Sequence, residues 1–417
     1  MLGLAWKSLL NRRLTASLAV LSIAMSVALI LTVERVRSEA RESFARTVSG
    51  TDLIVGARSG AVQLLLYSVF RVGDATSDVS WESARAIAAR PRVAWTVPLS
   101  LGDSHRGYRV LGTSLDYFEL YRYGDDRALR FAQGRPFDDV FDTVLGSTVA
   151  RELGYGTGTE IIVAHGTGSV AIVEHENAPF RVVGILEPTG TPVDDAVHVS
   201  LEGIEAMHVD WRRGAPVPGD GTPADVVRQM DLAPSRVTAL LVGLTSRGAI
   251  FSEQRAINEY REEPLLAILP GVALQQLWSL VGVAAGALLA VSGFVVLAGL
   301  VNLVSVLFAG LEERRREMAI LRASGASPRD VFALLCLESA LLSVAGIVAG
   351  LALHWVAVSA AGLWLGPRFG LELAPGLPGP AELALLGAVL VAGIAAGCLP
   401  ALGALRRSLA DGMTQRH

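Results

Sequence analysis

The chain has 417 residues, 51% of them hydrophobic and 18% charged, with a net charge of −4 and a mean hydropathy of +0.45. That balance excludes a wholly aqueous globular protein and equally a chain buried entirely in lipid, so it predicts spanning helices joined to a polar domain. Lys7 is the single lysine and sits in no Gly-rich setting. A P-loop is thereby excluded from this sequence, because GxxxxGK followed by Ser or Thr places a lysine on nucleotide phosphates.

In chain order, residues 1–13 form a short basic flank, and Leu14–Val33 then runs uncharged between Lys7, Arg12, Arg13 on one side and Glu34, Arg35, Arg37 on the other. A signal-peptide core is shorter, roughly 15 residues, and ends in a small-residue cleavage site. Residues 14–34 are therefore read as a retained spanning helix.

Residues 35–270 are predicted as a large α+β domain between the first and second spans. Thr51–Gly56, Val93–Leu99, Tyr108–Gly112, Glu160–Ala164, Val170–Glu174, Phe180–Leu186, Ala196–Val199 and Arg236–Leu244 read as strands, being β-branched or aromatic runs bounded by turn residues. Ser80, Ser200 and Ser246 are placed as N-caps of helices over Trp81–Arg90, Leu201–His208 and Arg247–Glu262, and Ser59 before Val62–Phe70. The Gly/Pro-rich stretch Gly214–Ala224 divides this domain, so residues 116–229 read as a lobe inserted into a subdomain made of 48–115 and 230–270.

From Pro264 to Leu311 there is no charge, a run far longer than the roughly 20 residues a bilayer requires. Residues 271–311 are read as a stalk, with Gln275, Gln276 and Trp278, leading into the second span. Residues 312–330 are a charged cytoplasmic segment, 331–365 the third span with Glu338 and His354, 366–380 an external loop, 381–405 the fourth span with Gly387, Gly393 and Gly397, and 406–417 a tail. Arginine and lysine concentrate in 1–13, 312–330 and 406–417, whereas the 366–379 loop holds only Arg368. By the positive-inside rule both termini are cytoplasmic and the large domain lies outside. Cys336 and Cys398 both fall in spans, so the outer domain is predicted to hold no disulfide.

The segment Glu313-Arg-Arg-Arg-Glu-Met-Ala-Ile-Leu-Arg-Ala-Ser-Gly-Ala326, read on charge alone, is a solvated cytoplasmic turn. In residue order it resembles the MacB/FtsX-like permease family of ABC transporters, whose cytoplasmic loop follows E-R-x-R-E-(I/M)-(A/G)-(I/L)-x-(R/K)-A-x-G-A. Glu338-Ser-Ala-Leu-Leu-Ser343 and Leu399-Pro-Ala-Leu-Gly-Ala-Leu-Arg-Arg407 resemble the same family, as does the arrangement of one span, a large domain and three spans. The resemblance implies a type VII, mechanotransmission-type fold with a MacB-like periplasmic core domain, a bacterial inner-membrane location, and no substrate channel through the lipid. It implies an ATPase-coupling surface at Arg315, Glu317, Arg322, Gly325, Ala326, Ser327 and Asp330. Implied partners are a separate ATP-binding subunit carrying ATP and Mg, a second copy of the permease or a related one, and a periplasmic binding or adaptor protein. No cofactor is expected on this chain. Gly56-Ala-Arg-Ser-Gly60 and Glu187–Val193 resemble a subgroup associated with zinc-responsive operons, which implies metal-linked cargo met through a partner.

Glu338 and His354 are the ionisable groups within spans and so functional candidates, with helix packing as the plainer role for each. His165, Glu174 and His175 supply metal-ligand types, but their spacing is no recognised ligand set and no metal is expected. HExxH, GxSxG, CxxC and a strand-following GxGxxG are missing from the sequence, so it reads as non-catalytic, and no basic face interleaved with aromatics points to nucleic acid. Besides export or release of a substrate, an FtsX-type regulator of an external hydrolase and a ligand sensor stay open. The regulator is disfavoured by the size of the outer domain, and the sensor by the lack of a cytoplasmic output domain.

Overall fold

The structure is a computed structural model describing residues 12–47, 49–165, 173–174, 179–212, 215–216, 222–313, 320, 323, 325–369 and 376–405. The chain divides into two compact units, Ala40–Leu280 and the apolar helices. In the first, twelve strands form one sheet: β1 (Leu53–Ala57), β2 (Val93–His105), β3 (Tyr108–Thr113), β4 (Phe131–Gly134), β5 (Asp142–Leu145), β6 (Glu160–Ile161), β7 (Ala164–His165), β8 (Val173–Glu174), β9 (Phe180–Leu186), β10 (Ala196–Ser200), β11 (Ala239–Leu244) and β12 (Leu265–Ile268). Their order is β12-β1-β11-β2-β3-β10-β5-β9-β4, with β6 on β9, β7 on β2 and β8 on β7. The pairs β3–β10 and β5–β9 are parallel. The remaining pairs are antiparallel.

The core lies on both faces of this sheet. On β11, Ala239 and Leu241 join Ile54, Leu111 and Ile268 in one cluster, whereas Leu240 and Val242 join Leu53, Val55 and Leu265 in another, the period-2 alternation of a strand. The first cluster is closed by helices Ala61–Phe70 and Asp116–Leu120 through Leu64, Tyr67, Tyr117 and Phe118. The second is closed by Trp81–Ala88 and Ile250–Asn258 through Ala84, Ile87 and Ile257. A third cluster lies along β5, β9 and β10 under helices Ser147–Leu153 and Leu201–Met207. Strands buried on both faces read as continuous apolar runs, and β1, β5 and β10 are buried at every position.

Ser80 accepts from the Ser83 amide at 3.2 Å, Ser200 from Gly203 at 2.9 Å and Ser246 from Gly248 at 3.3 Å, as expected of N-caps. Ser59 does not cap its helix; Gly60 holds that position without a side-chain bond. The expected helix over Arg247–Glu262 is a 3-10 turn, Arg247–Ala249, followed by Ile250–Asn258. The run 236–244 breaks at Thr238: Arg236–Val237 pairs with Val79–Ser80, and β11 follows. The start of the long uncharged segment is the strand β12, apolar because Leu265, Ala267 and Ile268 are buried in the sheet. As an edge strand it would offer free backbone groups. Helix Ile250–Asn258 covers them: the Ala267 amide donates to Asn258 Oδ1 at 2.7 Å, and Gln254 Nε2 donates to the Ala267 carbonyl at 3.1 Å.

In the second unit four helices are long and apolar enough to cross a membrane, over Arg13–Glu39, Pro270–Ala309, Pro328–Leu363 and Pro380–Leu402. They belong to continuous helices Arg13–Thr47, Pro270–Glu313, Pro328–Phe369 and Pro380–Leu405. The second, 44 residues long, extends about 66 Å at 1.5 Å per residue, twice the hydrocarbon thickness of a bilayer. The first is the hub: Ala19, Ile23, Val27 and Leu31, spaced by four, pack with Leu303 and Leu307 of the second, Leu342 of the third and Val389 of the fourth.

Candidate functional site

Lipid offers no hydrophobic drive for helices to associate, so close backbone approach through small residues and interhelical hydrogen bonds does that work. A Cβ built on Gly346 would lie 2.6 Å from Ile23 Cβ, and one on Gly397 would lie 2.2 Å from Ser339 Cβ. The Gly346-xxx-Gly350 and Gly393-xxx-Gly397 pairs thus seat the third helix on the first and the fourth on the third. Ser339 Oγ donates to the Gly393 carbonyl at 2.7 Å, and Ser26 Oγ of the first helix reaches Val295 O of the second at 3.1 Å. Gly387 meets nothing within 4 Å.

Glu338, His354 and Glu382 are buried among these helices. His354, 5% exposed, lies with Nδ1 3.0 Å from Thr32 Oγ1 of the first helix. Near it Arg35 bridges Glu39 at 3.4 Å and Glu382 of the fourth helix at 3.8 Å. Glu338 is buried at 4% exposure, on the helix that begins at Pro328.

That helix start is the best-defined part of the expected coupling surface. Gly325 has φ +105°, a conformation open to glycine and strained for other residues. Ser327 precedes Pro328 at the first helical position, where the missing N–H is no loss. Ser327 N donates to Asp330 Oδ2 at 2.8 Å and Ser327 Oγ to the same oxygen at 2.7 Å, while the Asp330 amide reaches Ser327 Oγ at 3.3 Å. This reciprocal arrangement is a capping box with Asp in the acidic position. Gly325, Ser327, Pro328 and Arg329 are exposed, and Ile320 upstream is 60% exposed. The turn is fixed by its own bonds and open to solvent. Arg315, Glu317 and Arg322 lie outside the described residues, as does His175.

Among the candidate metal ligands, β7 and β8 set His165 opposite Val173 and Glu174 opposite Ala164. No group of three or more His, Cys, Asp or Glu able to hold a metal is found among the described residues. Three histidines of the α+β domain engage the protein itself: His105 Nδ1 with Ile162 O at 2.6 Å, His208 Nδ1 with Ile204 O at 2.7 Å and His198 Nδ1 with Val144 O at 3.2 Å. Burial pushes His198 down to about 3, with Arg71 adding to the shift and the Val144 carbonyl opposing it.

The Glu187–Val193 stretch forms a loop organised from its end. Asp194 accepts from the Thr189 amide at 2.9 Å, the Gly190 amide at 2.7 Å and Thr189 Oγ1 at 3.0 Å. Burial raises its carboxyl despite these donors, and burial together with Asp194 pushes Asp195 up to about 7. Nothing in the sequence pattern flagged Asp194, although an acidic residue closing a Thr-Gly-Thr-Pro turn is a recurrent hydrogen-bonding device.

Compared with known proteins, residues 14–228 match the MacB-like periplasmic core domain, and residues 289–409 match the FtsX-like permease C-terminal family. The chain belongs to the MacB-like ABC transporter permease family. Its relatives include the pyoverdine export ATP-binding/permease protein PvdT of Pseudomonas aeruginosa, 24% identical over 66% of this chain and 39% of that one. The macrolide export ATP-binding/permease protein MacB of Bdellovibrio bacteriovorus is 24% identical over 84% of this chain and 52% of its own. This MacB-like chain spans about half the length, or less, of those curated relatives. Among solved structures, the periplasmic region of MacB from Actinobacillus actinomycetemcomitans aligns with 55% of this chain and 94% of its own at 12% identity and a TM-score of 0.34. The extracellular domain of the ABC-type transporter YknZ aligns with 52% and 99% at 13% identity and a TM-score of 0.30. The MacB-like domain lies between the first and second apolar helices, and the chain is a multi-pass membrane protein.

Proposed function

We propose that this permease is the transmembrane subunit of an ATP-driven complex, receiving the closure of a separate ATP-binding subunit at the Gly325–Asp330 turn and relaying it to the outer domain to export or release a substrate. The observation that carries this reading is the turn itself, exposed yet braced by the Ser327–Asp330 box at the head of a 42-residue helix. A docking point that carries force must not yield, and a helix with a fixed entrance transmits displacement better than a loose tail. Exposed Ile320 adds an apolar contact to this surface.

ATP and Mg belong on the partner; this chain supplies no catalytic group. The relatives' names join ATP-binding and permease functions in one protein, and this reading divides them between subunits. Both termini and the turn are placed in the cytoplasm and the MacB-like domain in the periplasm, with a second permease copy completing the complex and a binding or adaptor protein meeting the outer domain.

Co-reconstitution with the ATPase in nanodiscs tests the reading. Gly325→Pro cannot take φ +105°, since proline holds φ near −65°, and Arg322→Glu reverses a contact charge. Both variants are expected to insert normally and to bring stimulated ATP turnover down to the basal rate. Stimulation unchanged in both would overturn the coupling assignment.

A further inference from the structure

The chain's two cysteines, far apart in sequence, meet in space. Cys336 Sγ of the third long helix lies 3.5 Å from Cys398 Sγ of the fourth, and both thiols are free and half-buried. The approach is built into the packing. Ser339 and Gly397, each within one turn of a cysteine, hold the two backbones so close that a Cβ on Gly397 would lie 2.2 Å from Ser339 Cβ. Val331, Leu335 and Ala401 are buried beside the pair, with Phe332 and Cys336 packed against them. Cys336 is six residues beyond Asp330 on one continuous helix, about 9 Å along its axis.

We propose that Cys336 and Cys398 form a redox-active dithiol whose oxidation to a disulfide staples the third and fourth helices directly beside the Gly325–Asp330 turn. A disulfide needs the sulfurs at about 2.05 Å, so closure asks for a movement within the reach of side-chain rotation. The pair lies among apolar side chains, and the oxidant that suits it is one that partitions into lipid, an organic hydroperoxide. One thiolate sulfur attacks the peroxide oxygen, the O–O bond breaks, and the leaving alkoxide takes up the proton given by that thiol to depart as an alcohol. The resulting sulfenic acid is attacked by the second sulfur, whose proton leaves with the hydroxyl as water. In sum, two thiols and one hydroperoxide give one disulfide, one alcohol and one water. On the proposed orientation the pair sits near the cytoplasmic face, where disulfides are transient and redox-sensing rather than structural.

The effect on activity rests on the coupling role of the turn, so two separate readouts are needed. The permease with its ATPase in nanodiscs is treated with cumene hydroperoxide, then digested for mass spectrometry, and ATP turnover is followed in parallel. The expected result is an intrachain Cys336–Cys398 peptide, with stimulated turnover lowered about fivefold, the small end of ordinary coupling between sites, and restored by dithiothreitol. Cys336→Ser and Cys398→Ser are expected to keep full turnover under the same treatment. Absence of the linked peptide, or cysteines joined only between two chains, overturns the proposal. A linked peptide with unchanged turnover overturns the regulatory role. If the untreated permease fails to stimulate the ATPase, the coupling reading falls, and the linked peptide still decides whether the dithiol exists.

Discussion

Gly350 of the third long helix and Val27 of the first are in backbone-to-side-chain contact: a Cβ on Gly350 would lie 2.7 Å from Val27 Cβ and 2.9 Å from the Ala24 carbonyl. Gly350→Ala and Gly346→Ala should therefore push the helices apart, costing about 1–3 kcal/mol as overpacking does. Gly286→Ala and Gly387→Ala meet nothing within 4 Å and should be neutral or stabilising by about 0.5–1 kcal/mol through helix propensity. Thermal unfolding of the four variants in one detergent separates the two pairs; equal midpoints would contradict the packing assignment.

At the Gly325–Asp330 turn, Ser327→Ala and Asp330→Ala each break the same capping box and so weaken the start of the helix. Because the two residues act as a unit, the double variant should lose little more than either single one. Faster hydrogen exchange over residues 328–334 measures the loss of the helix start, and it should accompany weaker ATPase stimulation. Additive losses in the double variant would show that the residues act separately.

His198 makes a pH prediction of definite sign. Its folded value near 3 lies below the unfolded 6.5, so its contribution is complete above pH 6.5 and is lost as pH falls toward 3. The loss reaches about 2 kcal/mol at pH 5. Asp195 acts in the opposite sense, its folded value near 7 standing above 3.8, so acidification relieves its burial over the same window. Comparing the parent with His198→Gln in chemical denaturation at pH 7 and pH 5 isolates the imidazole, because Asp195 is common to both. The variant should gain relative to the parent at the lower pH, and parallel curves would rule out a buried neutral imidazole.

Asn258→Ala should expose the edge of the sheet. The Ala267 amide then loses its acceptor at 2.7 Å, and a buried donor left without one costs about 1–3 kcal/mol. Hydrogen exchange at residues 265–268 should speed up while that at β2 and β3 stays slow. Protection unchanged at Ala267 would mean that water replaces the asparagine.

Much of this architecture was legible because its signals are local. Leu14–Val33 and Ala381–Leu405 announce spans by length alone, and Ser80, Ser200 and Ser246 announce helix starts through side chains that bond three residues or fewer ahead. β5 and β12 were missed for one physical reason. β5 is buried at every position and β12 at all but Leu266, so alternation fades and a four-residue run looks like part of whatever adjoins it. For β12 that neighbour was the uncharged run that continues to Leu311. At the turn, the Gly325-Ala-Ser-Pro-Arg-Asp330 text carried the cap chemistry in full. The Cys336–Cys398 approach and the Asn258–Ala267 bond depend on how separate elements pack, and no spacing in one chain encodes them.

β1 pairs with residues 239–242 and with 265–268, partners that leave the ribosome long after it does. Until they arrive, one of the most buried strands of the sheet waits with both edges bare, the condition in which nascent chains mispair or recruit chaperones. Since β12 ends at Ile268 and the next helix begins at Pro270, completion of the sheet coincides in synthesis with delivery of the second apolar helix to the insertion machinery. The last strand of the aqueous half is thus made immediately ahead of the second apolar helix.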